Sequence, residues 1–330
     1  MRRYIVSLLA LVVISLSVTP ALAQLTKVDF LLPAPKALPA FSYYTVAEQK
    51  GFYRDEGLEI NFLTVRGGMD VVKQVGVGHT LIGHGIPGNA IIIRSQGVPV
   101  KIVALFGGHG LFFLISPKET GITDISHIKG RTVAVMSFVD GTYYDLLAAM
   151  ASAGLKKEDA NIQAFGPGGT PKSLIAGKAE AMSGVIEWGV EVEEAGKELN
   201  WIPLEKYAPV MGQALMTSDK VVQENPELIR RFLRATLRGF KFLMENPEEV
   251  ARMYAQTYPI WKGKEKSLTT IFTRYVQWVY SGQRLLGEIP EERLVGQLDY
   301  YYNFGIIRSK FPIKELYTND FVKAVAPEIK

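Results

Sequence analysis

The side chains able to bind or react stand in short turns that follow apolar runs, and most of these turns carry glycine. Ser137, Asp140, Gly141 and Thr142 fall in SFVDGT, where two hydroxyls, a carboxyl and a bared backbone could cradle a small polar ligand. Asp140 there either caps the next helix or faces an amine on the ligand. Arg66-Gly67-Gly68 allows close backbone approach, and its guanidinium either reaches an anion or forms a solvated ion pair. Pro87-Gly88-Asn89 opens a helix with free amide donors. Phe41, Ser42 and Tyr43 close the Pro-rich loop 33–44, a stiff aromatic wall suited to a ligand. Glu187-Trp188 set an acid beside a ring that would stack on a planar ligand or pack between two halves of the molecule. The GPGGTP turn at 166–171 reads equally well as a plain tight turn. His84 reads as a packed, hydrogen-bonded residue rather than a ligand contact.

Reactive constellations are missing from the chain. Its four histidines, His79, His84, His109 and His127, show no H-E-x-x-H spacing, and no G-x-S-x-G elbow occurs. The chain contains no Cys, which removes disulfides, thiolate metal sites and Cys nucleophiles together. No metal, cofactor or catalytic residue is therefore expected, and an enzyme ranks below a binding protein. The 330 residues carry 37 Lys+Arg against 33 Asp+Glu, a net charge of +4. That balance lacks the basic surface a nucleic-acid partner needs.

Strand and helix patterns alternate along the first 110 residues. Strands are expected at Lys27–Leu32, Leu58–Val65, Thr80–Ile86 and Val100–Phe106, with helices at Ser42–Lys50, Met69–Val75 and Gly88–Gln96 between them. Ser42 is the expected N-cap of the first helix. This order argues for a doubly wound α/β sheet. A second such unit follows Gly107-Gly108, with strands at Phe112–Ser116, Arg131–Met136, Asn161–Phe165 and Ala181–Ile186. Thr142 is expected to open a helix with Asp145 completing a capping box, and Thr170-Pro171 to open the next. The remainder reads as helical. Asn225-Pro226 and Asn246-Pro247 mark two helix starts, and Ile229, Leu233, Thr236, Phe240 and Leu243 form a buried stripe. Arg230, Arg231, Arg234, Arg238 and Lys241 lie largely off that stripe, on a solvated face or against a membrane partner.

Met1-Arg2-Arg3, the apolar run to Val18 and Thr19-Pro20-Ala21-Leu22-Ala23 match a secretory leader cut after Ala23. The run is shorter than the ~20 residues a membrane span requires. Removing Arg2 and Arg3 leaves a charge of about +2 and a mature chain expected in the periplasm.

Four stretches resemble a known family in its own order. They are 47-AEQKGFYRDEGLEINF-62, 124-DISHIKGRTVAV-135, 174-LIAGKAEAM-182 and 221-VVQENPELIRRFLRA-235. The chain resembles the type II periplasmic substrate-binding proteins, in particular the group feeding ABC importers for nitrate, sulfonates, taurine and thiamine pyrimidine precursors. The resemblance implies two α/β lobes joined by crossings near Gly107–Phe112 and Pro209–Met216, with a ligand between them. Lobe one would hold 24–109 and 215–330, and lobe two 110–214. It also implies a monomer that delivers its ligand to an ABC permease in the inner membrane. A related synthase enzyme carries a Cys-rich motif that this chain lacks.

A sulfonate, carboxylate or similar anion is the first expectation for the ligand. Three or four charge-assisted hydrogen bonds of ~1.5–3 kcal/mol each bring micromolar binding within reach without an Arg cluster. Asp140 with Glu187 would instead suit a pyrimidine-like or other planar nitrogenous ligand. A sensor without transport is a further alternative.

Overall fold

Residues 24–329 are described by the structure, a computed structural model; the expected leader, 1–23, lies outside them. The apolar run Thr26–Leu32 forms β1, and its last three residues are buried because strands flank it on both sides. Those neighbours, β2 (Leu58–Thr64) and β3 (Ile82–Gly85), both run parallel to it. The connections are helical: α1 (Ser42–Gln49) and α2 (Phe52–Asp55), then α3 (Gly68–Gly76), then α4 (Pro87–Ser95) leading to β4 (Val100–Phe106). Strand–helix alternation of this kind forces parallel pairing with right-handed crossovers.

The second sheet repeats the scheme with β5 (Phe113–Pro117), β6 (Thr132–Val135), α5 (Gly141–Ser152), β7 (Asn161–Ala164), α6 (Gly169–Ile175), β8 (Ala181–Gly184), α7 (Ile186–Glu194) and β9 (Leu199–Pro203). Its strand order is β7-β6-β8-β5-β9, with β5 antiparallel to both of its neighbours. The chain then returns as β10 (Gln213–Ser218), which inserts antiparallel between β3 and β4 to give the order β2-β1-β3-β10-β4. Two α/β lobes result. Neither β9 nor β10 stands out in the sequence: LNWIP is broken by Asn200 and Pro203, and the fully buried QALMTS has no period-two alternation.

The helical remainder comprises α8 (Asp219–Glu224), α9 (Pro226–Glu245), α10 (Pro247–Thr257), α11 (Glu265–Tyr275), α12 (Glu291–Asn303), α13 (Ile313–Leu316) and α14 (Asp320–Val325). The expected stripe on α9 is buried throughout. Its Phe240 meets Tyr43 of α1 edge-on at 5.4 Å, within an aromatic core that includes Phe30, Phe106 and Phe232. These helices also reach the second lobe. Arg274 pairs with Glu193 at 2.8 Å, Trp278 packs on Phe113 and Trp201, and the Tyr300 hydroxyl donates to the Ala148 carbonyl at 2.6 Å.

Several local expectations are corrected. Ser42 caps nothing: a 3-10 turn, Pro39–Phe41, runs straight into α1, and the Ser42 hydroxyl is buried without a partner. Asp140, rather than Thr142, caps α5, its Oδ1 accepting from the Thr142 amide at 2.9 Å. Asp145 completes no capping box; it turns inward to the Tyr301 hydroxyl at 3.3 Å. Thr170 lies inside α6, where its hydroxyl donates back to the Gly166 carbonyl at 2.7 Å. Asn225 and Asn246 stand before their N1 prolines without side-chain capping bonds. The basic face of α9 is largely consumed within the lobe: Arg231 donates to the Glu56 carbonyl at 2.6 Å, while Arg234 pairs with Glu56 and Glu328 and Arg238 with Asp55.

Candidate functional site

Each lobe ends its strands in turns that start helices, so helix N termini gather between the two sheets, the general location of ligands in open α/β folds. α3 begins at Gly68, α4 at Pro87, α5 at Gly141 and α7 at Ile186. A void of about 50 Å³ lies where they meet. Phe41, Gly68 and Asn89 line it from the first lobe; Asp140, Gly141, Thr142, Glu187 and Trp188 line it from the second.

The two acids are bound into the walls. Asp140 accepts from Thr142 and, across the gap, from the Gly68 amide at 3.4 Å. Glu187 Oε1 accepts from the Ala40 amide at 3.1 Å, and Oε2 from the Tyr275 hydroxyl at 2.5 Å. Burial raises both carboxyls above their ordinary values, against the lowering effect of these hydrogen bonds. The protein thus sets its own carboxyl groups at helix N termini that would otherwise attract an anion. Among the described residues, no Lys or Arg lines the void.

Unsatisfied polar groups stand on the same lining. The Asn89 side-chain oxygen and nitrogen and the Trp188 Nε1–H are buried without partners. Each such group costs about 1–3 kcal/mol unless a ligand or water meets it. Gly68 permits the approach of Asn89, since a Cβ at 68 would lie 2.5 Å from Asn89 Oδ1. His84 also lines the void. Tyr44 and Tyr43 bring their hydroxyls to its Nδ1 at 3.2 and 3.5 Å. Burial lowers its imidazole to about 3, so the ring is neutral at pH 7.

Seven other expected residues lie outside the lining. Tyr43 and Ser42 are buried in the first lobe's interior, where Tyr43 packs against Phe106 and Phe240. Arg66 is exposed, and its carbonyl accepts from the Ser137 hydroxyl at 3.4 Å. Gly67 lies under the Val139 carbonyl, and Gly88 beside the Tyr301 hydroxyl, next to Pro87. Phe112 and Gln213 line the void and were not singled out, although they fall in the expected crossings. Gln213 Nε2 donates to the Ala40 carbonyl at 2.7 Å, so the Ala40 backbone is held at both its N–H and its C=O.

A family model described as "NMT1/THI5 like" matches residues 39–250. The riboflavin-binding protein RibY of Chloroflexus aurantiacus is 23% identical over 310 residues, covering 92% of this chain and 87% of that protein. A 4-amino-5-hydroxymethyl-2-methylpyrimidine phosphate synthase of Legionella pneumophila is 26% identical over 282 residues, covering 84% and 86%. The alkanesulfonate-binding protein SsuA from Xanthomonas axonopodis pv. citri, solved bound to MOPS, superposes with a TM-score of 0.69 at 13% identity, covering 90% of this chain and 98% of that one. The shared architecture is the periplasmic binding protein fold.

Proposed function

Because the chain belongs to the NMT1/THI5-like family, we propose that this substrate-binding protein serves an ABC importer. In this reading it is exported, loses residues 1–23, and works as a monomer in the periplasm. It closes on a planar nitrogenous ring and hands it unaltered to a permease. The observation that carries the ligand class is the lining itself: two carboxyls, the free Asn89 amide and the free Trp188 N–H, with no cation among the described residues. An aminopyrimidine or flavin edge offers donors and acceptors to match, whereas a sulfonate would meet two acids and no counter-charge. The planar alternative is therefore preferred here to the anion expected first. The names of RibY and of the Legionella synthase both concern nitrogen heterocycles, which supports the same choice.

Mechanistically, 24–109 with 215–330 would move as one body against 110–214. A ligand touching both bodies favours the closed form by its differential contacts, and the permease reads that form. The test is thermal unfolding of ligand-stripped protein with an aminopyrimidine, riboflavin, taurine, an alkanesulfonate and nitrate. A ligand at 100 times its Kd adds about 2.7 kcal/mol. Stabilisation by the heterocycles with unchanged ligand recovered afterwards is expected. Stabilisation by sulfonates alone, or recovery of a converted product, would overturn the reading.

A further inference from the structure

Beside the void lies a second chamber of about 440 Å³, and Leu38, Glu187 and Trp188 wall both spaces. Its size falls within the ~300–1,000 Å³ of ligand pockets. The inner void, about 50 Å³, is well below that range. A heteroaromatic ring that enters the inner site must part the lobes slightly, and the chamber across the Leu38, Glu187 and Trp188 wall is the neighbouring space for any group it carries beyond one ring.

The chamber's open surface is mainly apolar, with Lys172, Glu191 and Glu194 also on its lining. Pro35, Ile271 and Trp261 face it together with Trp188. Trp261 is fixed in place, its Nε1 donating to the Ala37 carbonyl at 2.8 Å. Ile260 is 68% exposed, a large apolar side chain left in water at the chamber's edge. Lys264 stands at the rim with its Nζ 5.5 Å from the Trp261 ring centroid. Trp188, with its buried Nε1–H unpartnered, occupies the shared wall where a ligand crossing from one space to the other would pass.

We propose that the ligand has two parts: a nitrogenous ring in the inner cavity, and a second ring or apolar chain of similar size in the outer chamber against Trp261. The proposal rests on the reading of the inner site given above. Glu187 and Trp188 then stand at the junction between the two parts, and the outer chamber sets preference among ligands that share the same head.

Calorimetric titration with two probes tests it: 4-amino-2-methylpyrimidine, and the same ring carrying a 5-benzyl group. The extended probe is expected to bind at least tenfold tighter. Trp261→Ala and Ile260→Glu should each remove that advantage while leaving the affinity of the bare ring within twofold. Ile260 is exposed, so its replacement keeps the fold should Trp261→Ala disturb it. Equal affinity for the two probes, an advantage that survives both variants, or equal weakening of both probes overturns the two-part ligand and leaves the inner site standing. Failure of both probes to bind the wild-type protein overturns the inner-site reading and this proposal with it.

Discussion

Glu187 of the second lobe accepts a hydrogen bond from the Ala40 amide of the first at 3.1 Å, across a sequence separation of 147. Gln213 takes the Ala40 carbonyl and Tyr275 the other Glu187 oxygen, so one carboxyl ties both lobes to a C-terminal helix. All of this happens at the wall of the cavity. In the proposed clamshell, closure and ligand contact would draw on the same groups.

Glu187→Ala leaves the Ala40 N–H and the Tyr275 hydroxyl without their partner. The closed form should lose about 1–3 kcal/mol, with a larger radius of gyration in scattering and a ligand affinity at least fivefold weaker. An unchanged radius together with unchanged affinity would show that this bond holds nothing shut.

Gly141 is packed tightly from both lobes. A Cβ there would lie 2.5 Å from Ile86 Cδ1 and 2.6 Å from Phe112 Cε2, side chains of the first lobe and of the crossing. The Ile86 clash arises across the two lobes, whereas Phe112 shares 110–214 with Gly141 and would be met in either form; overpacking of this kind costs about 1–3 kcal/mol. Gly141→Ala should lower the melting temperature of the unliganded protein modestly and, through the added Ile86 clash, bind ligand ten or more times more weakly. A lowered melting temperature with unchanged affinity would show that the Ile86 contact plays no part in the liganded form.

Asp140 combines a cap with a charge, and two substitutions divide them. Asp140→Asn keeps an acceptor for the Thr142 amide, so stability should hold, while affinity for a protonated or amine-bearing ligand falls about tenfold. Asp140→Ala should lose affinity and about 1 kcal/mol of stability as well, the usual worth of an N-cap. Denaturant midpoints beside binding isotherms check both. Equal destabilisation by the two variants would contradict this division.

Opposite pH dependences should come from Asp145 and His84. Burial holds the Asp145 carboxyl well above the usual carboxylate range, with the Tyr301 hydroxyl lowering it in part. A raised carboxyl contributes stability below its unfolded value of about 4 and loses it as pH rises through the folded value. Burial lowers His84 to about 3, so its contribution is present above the unfolded value of about 6.5 and lost as pH falls toward 3. Each proton so linked is worth about 1.4 kcal/mol per pH unit. Asp145→Asn should therefore gain on the wild type from pH 4 to pH 8. His84→Gln should gain on it from pH 7 down to pH 4. Melting curves that stay parallel across these ranges would rule out either linkage.

Much of the site could be read from local grammar. Gly68, Asn89, Asp140, Gly141, Thr142, Glu187 and Trp188 stand where an apolar strand gives way to a helix start, and that rule needs no knowledge of the partner lobe. It also drew in Ser137, which stands at such an outlet yet does not line the void. Arg66 matched the rule and still faces solvent, because the rule locates a turn and leaves open which way a long side chain leaves it.

By itself, the sequence determined the alternation of strands and helices, the division into two α/β units and the turns at which a ligand could be met. Each of these depends on contacts between near neighbours or on apolar period. Only the tertiary structure decided that β10 enters the first sheet, that Asp145 turns inward to Tyr301, and that Gln213 and Glu187 grip the Ala40 backbone from two sides. The physical reason is that the cost of burying a polar group is set by partners distant in sequence, and no local pattern encodes who they are.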